Sequence, residues 1–198
     1  MKPVVRLFLA TSVAAAMALL LLPVLGHASD KAGAKNKGKT YNQQEVLREA
    51  HAFFGEGAEG IADVIAKVFR EQGEPNGYIK GEEGGGAVGV GVRYGRGELK
   101  MRAGRSMPVY WQGPSIGFDV GGNAAKTFVL IYNLPNTEKL FQRYPGVEGS
   151  LYFVGGVGLH YLRSEGVTLA PVRFGVGWRQ GASVGYMHFT KKKRLNPF

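Results

Sequence analysis

The sequence predicts a mainly β protein, a small antiparallel β-barrel of about eight strands with two N-terminal helices packed on it. Three observations carry that expectation. A phrase of alternating glycine and apolar residues ending in a basic side chain occurs three times. It closes the stretch Gly84–Tyr94 (G-G-G-A-V-G-V-G-V-R-Y) and returns at Gly156–His160 (G-V-G-L-H) and Gly175–Arg179 (G-V-G-W-R). Of the 31 glycines, 28 lie between Gly55 and Gly185, a density that weakens ordinary strands and suits strongly curved or closely approached ones. Finally, apolar residues recur at helical spacing before Asn76 and at strand spacing after it.

The chain opens with an export signal. Lys2 and Arg6 precede an apolar run from Leu7 to Leu25, and Gly26-His27-Ala28 supplies the small residues a signal peptidase reads, so residues 1–28 are expected to be removed. A membrane anchor is the rival reading of the same run. There is no cysteine, which excludes lipoprotein processing, disulfides and thiolate chemistry. Residues 29–40, rich in Lys, Gly, Ala and Asn, read as a basic disordered linker.

A single helix-plus-barrel domain is expected over residues 41–190. Asn42 with Glu45 three residues on is a capping box, and Val46, Ala50, Phe53 and Phe54 continue at helical spacing until Gly55. A second helix is expected from Ala58 to Gln72, with Ile61, Val64, Ile65, Val68 and Phe69 in one stripe and Gly73 and Pro75 ending it. Both stripes read as core-facing.

Strands follow at 77–82, 87–94, 98–103, 115–120, 127–134, 150–155, 157–163, 168–178 and 182–190, of which two can be one bent strand. Turn signals at Gly95-Arg96-Gly97, Gln112-Gly113-Pro114, Gly121-Gly122-Asn123, Ser164-Glu165-Gly166 and Gln180-Gly181 separate them. A short helix opened by Pro135-Asn136 and closed by Pro145-Gly146 interrupts, with Leu140 and Phe141 facing inward. Glu82-Glu83, before a glycine run, reads as a solvated loop.

The net charge of +10 is concentrated at the ends. Residues 40–190 hold 15 basic and 14 acidic side chains, whereas Lys31, Lys35, Lys37, Lys39 and the run Lys191–Arg194 carry the excess. The tail at 191–198 and the linker read as solvated ends with a loose attraction for phosphate-bearing lipid headgroups or lipopolysaccharide, a peripheral membrane contact. A near-neutral body on an exported chain excludes nucleic acid as a partner.

Two motifs invite a chemical reading. Gly84–Gly89 matches G-x-G-x-x-G, but the dinucleotide site needs a following helix and here a strand follows. Gly113–Gly117 matches G-x-S-x-G without the strand-to-helix elbow or the α/β alternation that the motif requires. The body is poor in histidine and aspartate, no metal-ligand spacing occurs, and no cofactor is expected.

What remains is the basic end of each glycine phrase. Alternation puts Gly89, Gly91 and Arg93 on one face and Val90, Val92 and Tyr94 on the other. Likewise Gly156, Gly158 and His160 oppose Val157, Leu159 and Tyr161, and Gly175, Gly177 and Arg179 oppose Val176 and Trp178. If the basic ends converge at one rim, Arg93, His160 and Arg179 with Tyr94, Tyr161 and Trp178 form a ligand-binding anion site. Consecutive antiparallel strands would instead part His160 from Arg179, leaving exposed strand-end charges.

The chain resembles the alphaproteobacterial envelope-integrity protein A family in Gly60-Ile61-Ala62-Asp63-Val64-Ile65, Gly73-Glu74-Pro75-Asn76-Gly77-Tyr78-Ile79, Trp111–Asp119 and Phe128–Leu134. The resemblance implies a soluble periplasmic β-barrel supporting envelope integrity and stress resistance, with no catalytic residues to transfer. Pro114–Leu162 is more faintly similar to SYLF lipid-binding domains. Together these suggest a binding or scaffolding module for a lipid, another envelope component or an envelope protein. The alternatives are an integral outer-membrane barrel, and an enzyme using Asp63, Asp119 or His160.

Overall fold

The computed structural model describes residues 38–55, 58–104, 106–119, 125–174 and 185–194. The signal at 1–28, most of the linker and the end of the tail lie outside these, as does the third glycine phrase with Trp178 and Arg179.

Helix α1 spans Gln43–Phe54 and helix α2 Ile61–Gln72. The expected capping box is present: the Glu45 amide donates to Asn42 Oδ1 at 2.9 Å, and the Asn42 amide to Glu45 Oε2 at 2.9 Å. Gly55 and Gly73, both at positive φ, end the two helices.

Among the described residues, nine strands form one antiparallel sheet: β1 Gly77–Met101, β2 Ser106–Asp119, β3 Ala125–Tyr132, β4 Arg143–Pro145, β5 Tyr152–Val154, β6 Val157–Leu159, β7 Leu162–Ser164, β8 Val167–Phe174 and β9 Tyr186–Thr190. Their order is β4-β9-β2-β1-β3-β8-β6-β5, with β7 also on β8. The sheet curls until its β4 end meets β7, through a bridge between Gly146 and Leu162 and the Val147 amide donating to the Tyr161 carbonyl at 2.8 Å. The short helix expected after Pro135 is a 3-10 turn over Thr137–Leu140, capped by Asn136, and Leu140 is buried.

Alternation along the strands builds two cores from one sheet. Phe128, Leu130 and Tyr132 of β3, Val157 and Leu159 of β6, and Ala170 and Val172 of β8 pack against Val46, Ala50 and Phe54 of α1 and Ile61, Val64, Ile65 and Val68 of α2. The intervening residues Val129, Ile131 and Leu169 turn the other way, where Ile79, Leu99, Val109, Trp111, Met187 and Phe189 fill the barrel.

The structure corrects the strand boundaries. The three segments expected over 77–103 are one strand of 25 residues, whose first arm pairs with β3 and whose second pairs with β2. Neither Gly95-Arg96-Gly97 nor Gln112-Gly113-Pro114 turns the chain; both lie inside strands, as does Glu82-Glu83. The glycines serve contact instead. The two arms of β1 fold toward each other at Gly81 and Gly97: a Cβ on Gly97 would lie 2.9 Å from the Gly81 Cα, and a Cβ on Gly81 2.8 Å from the Gly97 Cα. The G-x-G-x-x-G and G-x-S-x-G matches both run as strand, without the helix that either chemistry needs.

Candidate functional site

The barrel interior holds a cluster of charge. Arg173 lies on the inward face of β8, where its register partners are Gly158 on β6 and Thr127 on β3, and Thr127 in turn faces Gly81. These small neighbours leave room for a guanidinium to extend into the barrel. Trp111 on β2 is paired with Gly95, and its indole also reaches Gly81, where an added Cβ would stand 2.6 Å from Cη2. The bare faces at Gly81, Gly95 and Gly158 therefore point inward, and an aromatic ring and a guanidinium occupy the space.

Glu83, from the first arm of β1, sits at the centre. Arg173 Nε donates to Glu83 Oε1 and Arg173 Nη2 to Oε2, while the Trp111 Nε1–H donates to Oε2 at 3.0 Å. Arg93, from the second arm, places Nη1 3.7 Å from Oε1 and donates from Nη2 to the Pro114 carbonyl at 3.2 Å. Arg173 Nη1 stands 2.8 Å from His160 Nδ1. Arginine has no acceptor to offer, so Nδ1 must accept and His160 is neutral with its proton on Nε2. Arg173 is fully buried and Glu83, Arg93 and His160 nearly so.

The electrostatics follow from this packing. Burial by itself pushes the Glu83 carboxyl up; the pull of Arg173 and Arg93 and the hydrogen bonds from Arg173 and Trp111 outweigh it, leaving the group below its ordinary value. Burial, then the charges of Arg173 and Arg93, hold His160 well below its ordinary 6.5. Above that pH neither folded nor unfolded His160 carries charge, and its full contribution to stability is present. Below it the unfolded chain takes a proton that the folded chain refuses. Stability is therefore expected to fall as pH drops from 6.5 toward about 5, with a slope of at most about 1.4 kcal/mol per pH unit from this group. His160→Asn, which keeps an acceptor for Arg173, should flatten this limb in thermal melts. Slope of the same sign remains in the variant from His188, which burial and then Arg143 and Arg194 also lower, and from the carboxyls of Glu45, Glu49, Glu71 and Glu83, which folding holds below their ordinary value. An unchanged pH profile in the variant would show that His160 is not the buried neutral group described.

Beside this network, on the flank of the barrel, is a cleft of about 460 Å³ bordered by Glu82–Gly84, Tyr94–Arg96, Tyr110–Gln112, Thr190, Lys193 and Arg194. Glu83 and Trp111 belong to both: they bind the buried cluster together and form part of the cleft wall.

The residues singled out by sequence are thus distributed. Arg93 and His160 do meet, but in the interior and around Glu83, not as exposed strand ends. Tyr94 lines the cleft. Tyr161 is on the opposite face, under the helices, where its hydroxyl donates to Glu71 Oε2 at 2.6 Å; it joins neither group. Trp178 and Arg179 lie outside the described residues. Glu83, read as a solvated loop, is the hub, because the glycines after it bend the strand without ending it. Arg173 and Trp111 were missed. The available signal was an arginine placed among apolar residues in Val167–Phe174. No group of three His, Asp or Glu side chains lies within reach of one metal ion among the described residues.

Comparisons with known proteins agree with this architecture. A crystal structure of a beta-barrel-like, uncharacterized protein from Brucella abortus is 42% identical to the chain, with a TM-score of 0.73 over 81% of this chain and 99% of that one. No curated protein matches. The profile of the envelope integrity protein A family matches residues 39–198, which is most of the sequence. The chain belongs to the envelope integrity protein A family.

Proposed function

We propose that this chain is an exported periplasmic module that serves envelope integrity by non-covalent binding, holding a lipid or other envelope component in the flank cleft. Family membership implies the envelope role. The observation that carries the binding reading is the cleft itself: aromatic and basic side chains border it, and its wall is stiffened by Glu83 and Trp111, which the buried network holds in place. The same network supports a non-catalytic role. Glu83 is ionised with both oxygens engaged, and the acceptor nitrogen of His160 is occupied by Arg173, so neither is poised to take a proton.

A lipid-spanning barrel needs an apolar outer band all around. Here the outer faces of β3, β6 and β8 are covered by α1 and α2.

Native mass spectrometry on protein released from the periplasm without detergent tests the reading. A discrete added mass in the lipid or glycolipid range is the expected result. Release only by detergent, or a clean apo mass from a strain whose envelope the protein protects, would sink it.

A further inference from the structure

Resting on the reading above, we infer that the flank cleft recognises the phosphorylated saccharide of its ligand. The argument starts from the tail. The Thr190 hydroxyl donates to the Lys192 carbonyl at 2.8 Å, and Lys191 pairs with Glu138 at 2.6 Å while lying over the Phe141 ring. These contacts fix the path of the chain, so that Lys193 and Arg194 border the cleft. Arg96, on β1, faces the same space. Among the described residues none of these three cations forms an ion pair, unlike Lys191 beside them. These three cations outnumber Glu82, the exposed carboxylate on the same lining, and suit a phosphate, which accepts several charge-assisted hydrogen bonds.

The rest of the lining specifies what carries the phosphate. Alternation sets Tyr94 and Arg96 of β1 on one outward face, in register with Gln112 and Tyr110 of β2. Two aromatic rings thus flank an arginine, and the exposed Glu82 borders the same cleft. Rings offer apolar faces to a sugar and a carboxylate accepts from its hydroxyls. Glu82, Arg96 and Tyr110 also line an adjoining cavity of about 360 Å³ that runs over the backbone of Gly81 and Gly97. The two spaces lie on either side of these shared residues and together offer room for more than a bare anion.

Calorimetric titration of the mature chain tests this, with glucose 1-phosphate, inorganic phosphate, phosphatidylglycerol vesicles and phosphatidylcholine vesicles doped with lipid A as probes. Glucose 1-phosphate is expected to bind more tightly than inorganic phosphate, and Arg96→Ala to weaken it about tenfold or more. Lys193→Ala/Arg194→Ala, on the exposed tail, should do the same without touching the fold. Displacement of the chain from lipid A vesicles by glucose 1-phosphate assigns the headgroup to a lipid. Binding of the soluble sugar alone assigns a free saccharide; both support the inference. Equal affinity for inorganic phosphate, equal binding to phosphatidylglycerol vesicles, or indifference to both variants overturns it. A lipid adduct in the native mass spectrum with no sugar phosphate binding overturns this inference while leaving carriage standing; the converse result does the opposite.

Discussion

Arg173→Met is expected to lower the unfolding free energy by about 3–5 kcal/mol, the range for removing one partner from a buried ion pair. Methionine keeps the unbranched aliphatic stem of arginine but not the guanidinium, so a small cavity adds to the loss. The loss comes from Glu83. It is buried, both of its oxygens accept from Arg173, and among the described residues Trp111 at 3.0 Å and Arg93 at 3.7 Å are then left to hold its charge. His160 loses the donor to Nδ1 at the same time. A second variant separates charge from shape: Glu83→Gln on the Arg173→Met background removes the stranded carboxylate and should recover part of the loss. Chemical denaturation of the two variants and of Glu83→Gln alone completes the cycle. A loss below about 1 kcal/mol in Arg173→Met, the size of a surface pair, would mean the network is solvated and not the core described here.

Gly97→Ala is the second large effect, about 3 kcal/mol and at the upper end for overpacking. The added methyl would meet the Lys80 carbonyl and lie 2.9 Å from the Gly81 Cα. Both belong to backbone that β3 already holds in register, so no side chain can rotate away. The arms of β1 must part, and Trp111, whose ring covers Gly81, moves with them. Gly84→Ala is the control. It lies in the same strand with nothing within 4 Å of its would-be Cβ, so its effect should stay within about 0.5 kcal/mol. Equal effects in thermal melts of the two variants would refute the close approach.

What the sequence made legible follows how local each signal is. The capping box of Asn42 and Glu45 and the closing glycines Gly55 and Gly73 act within a few residues, and both helices end where those signals place them. Alternation likewise revealed strands, and it placed Arg93 and His160 on the glycine face. The face's direction was not readable, because it depends on which strands pair. Gly81 and Gly97 meet only after the chain has folded back, and from sequence such glycines look like turns. Glu83 was hidden for the same reason: its partners come from β2, β8 and the far arm of its own strand. Lys193 and Arg194 look like an unstructured tail until Thr190 and Glu138 are seen to direct it.

The double-sided sheet has a thermodynamic consequence. Because β3 and β8 give alternate residues to the helix layer and to the barrel, neither layer keeps its packing once the other is lost. The helices and the barrel therefore constitute one cooperative unit. Any free energy gained by a ligand in the flank cleft is shared across that unit, so occupancy there protects α1 and α2 from transient opening although neither borders the main cleft.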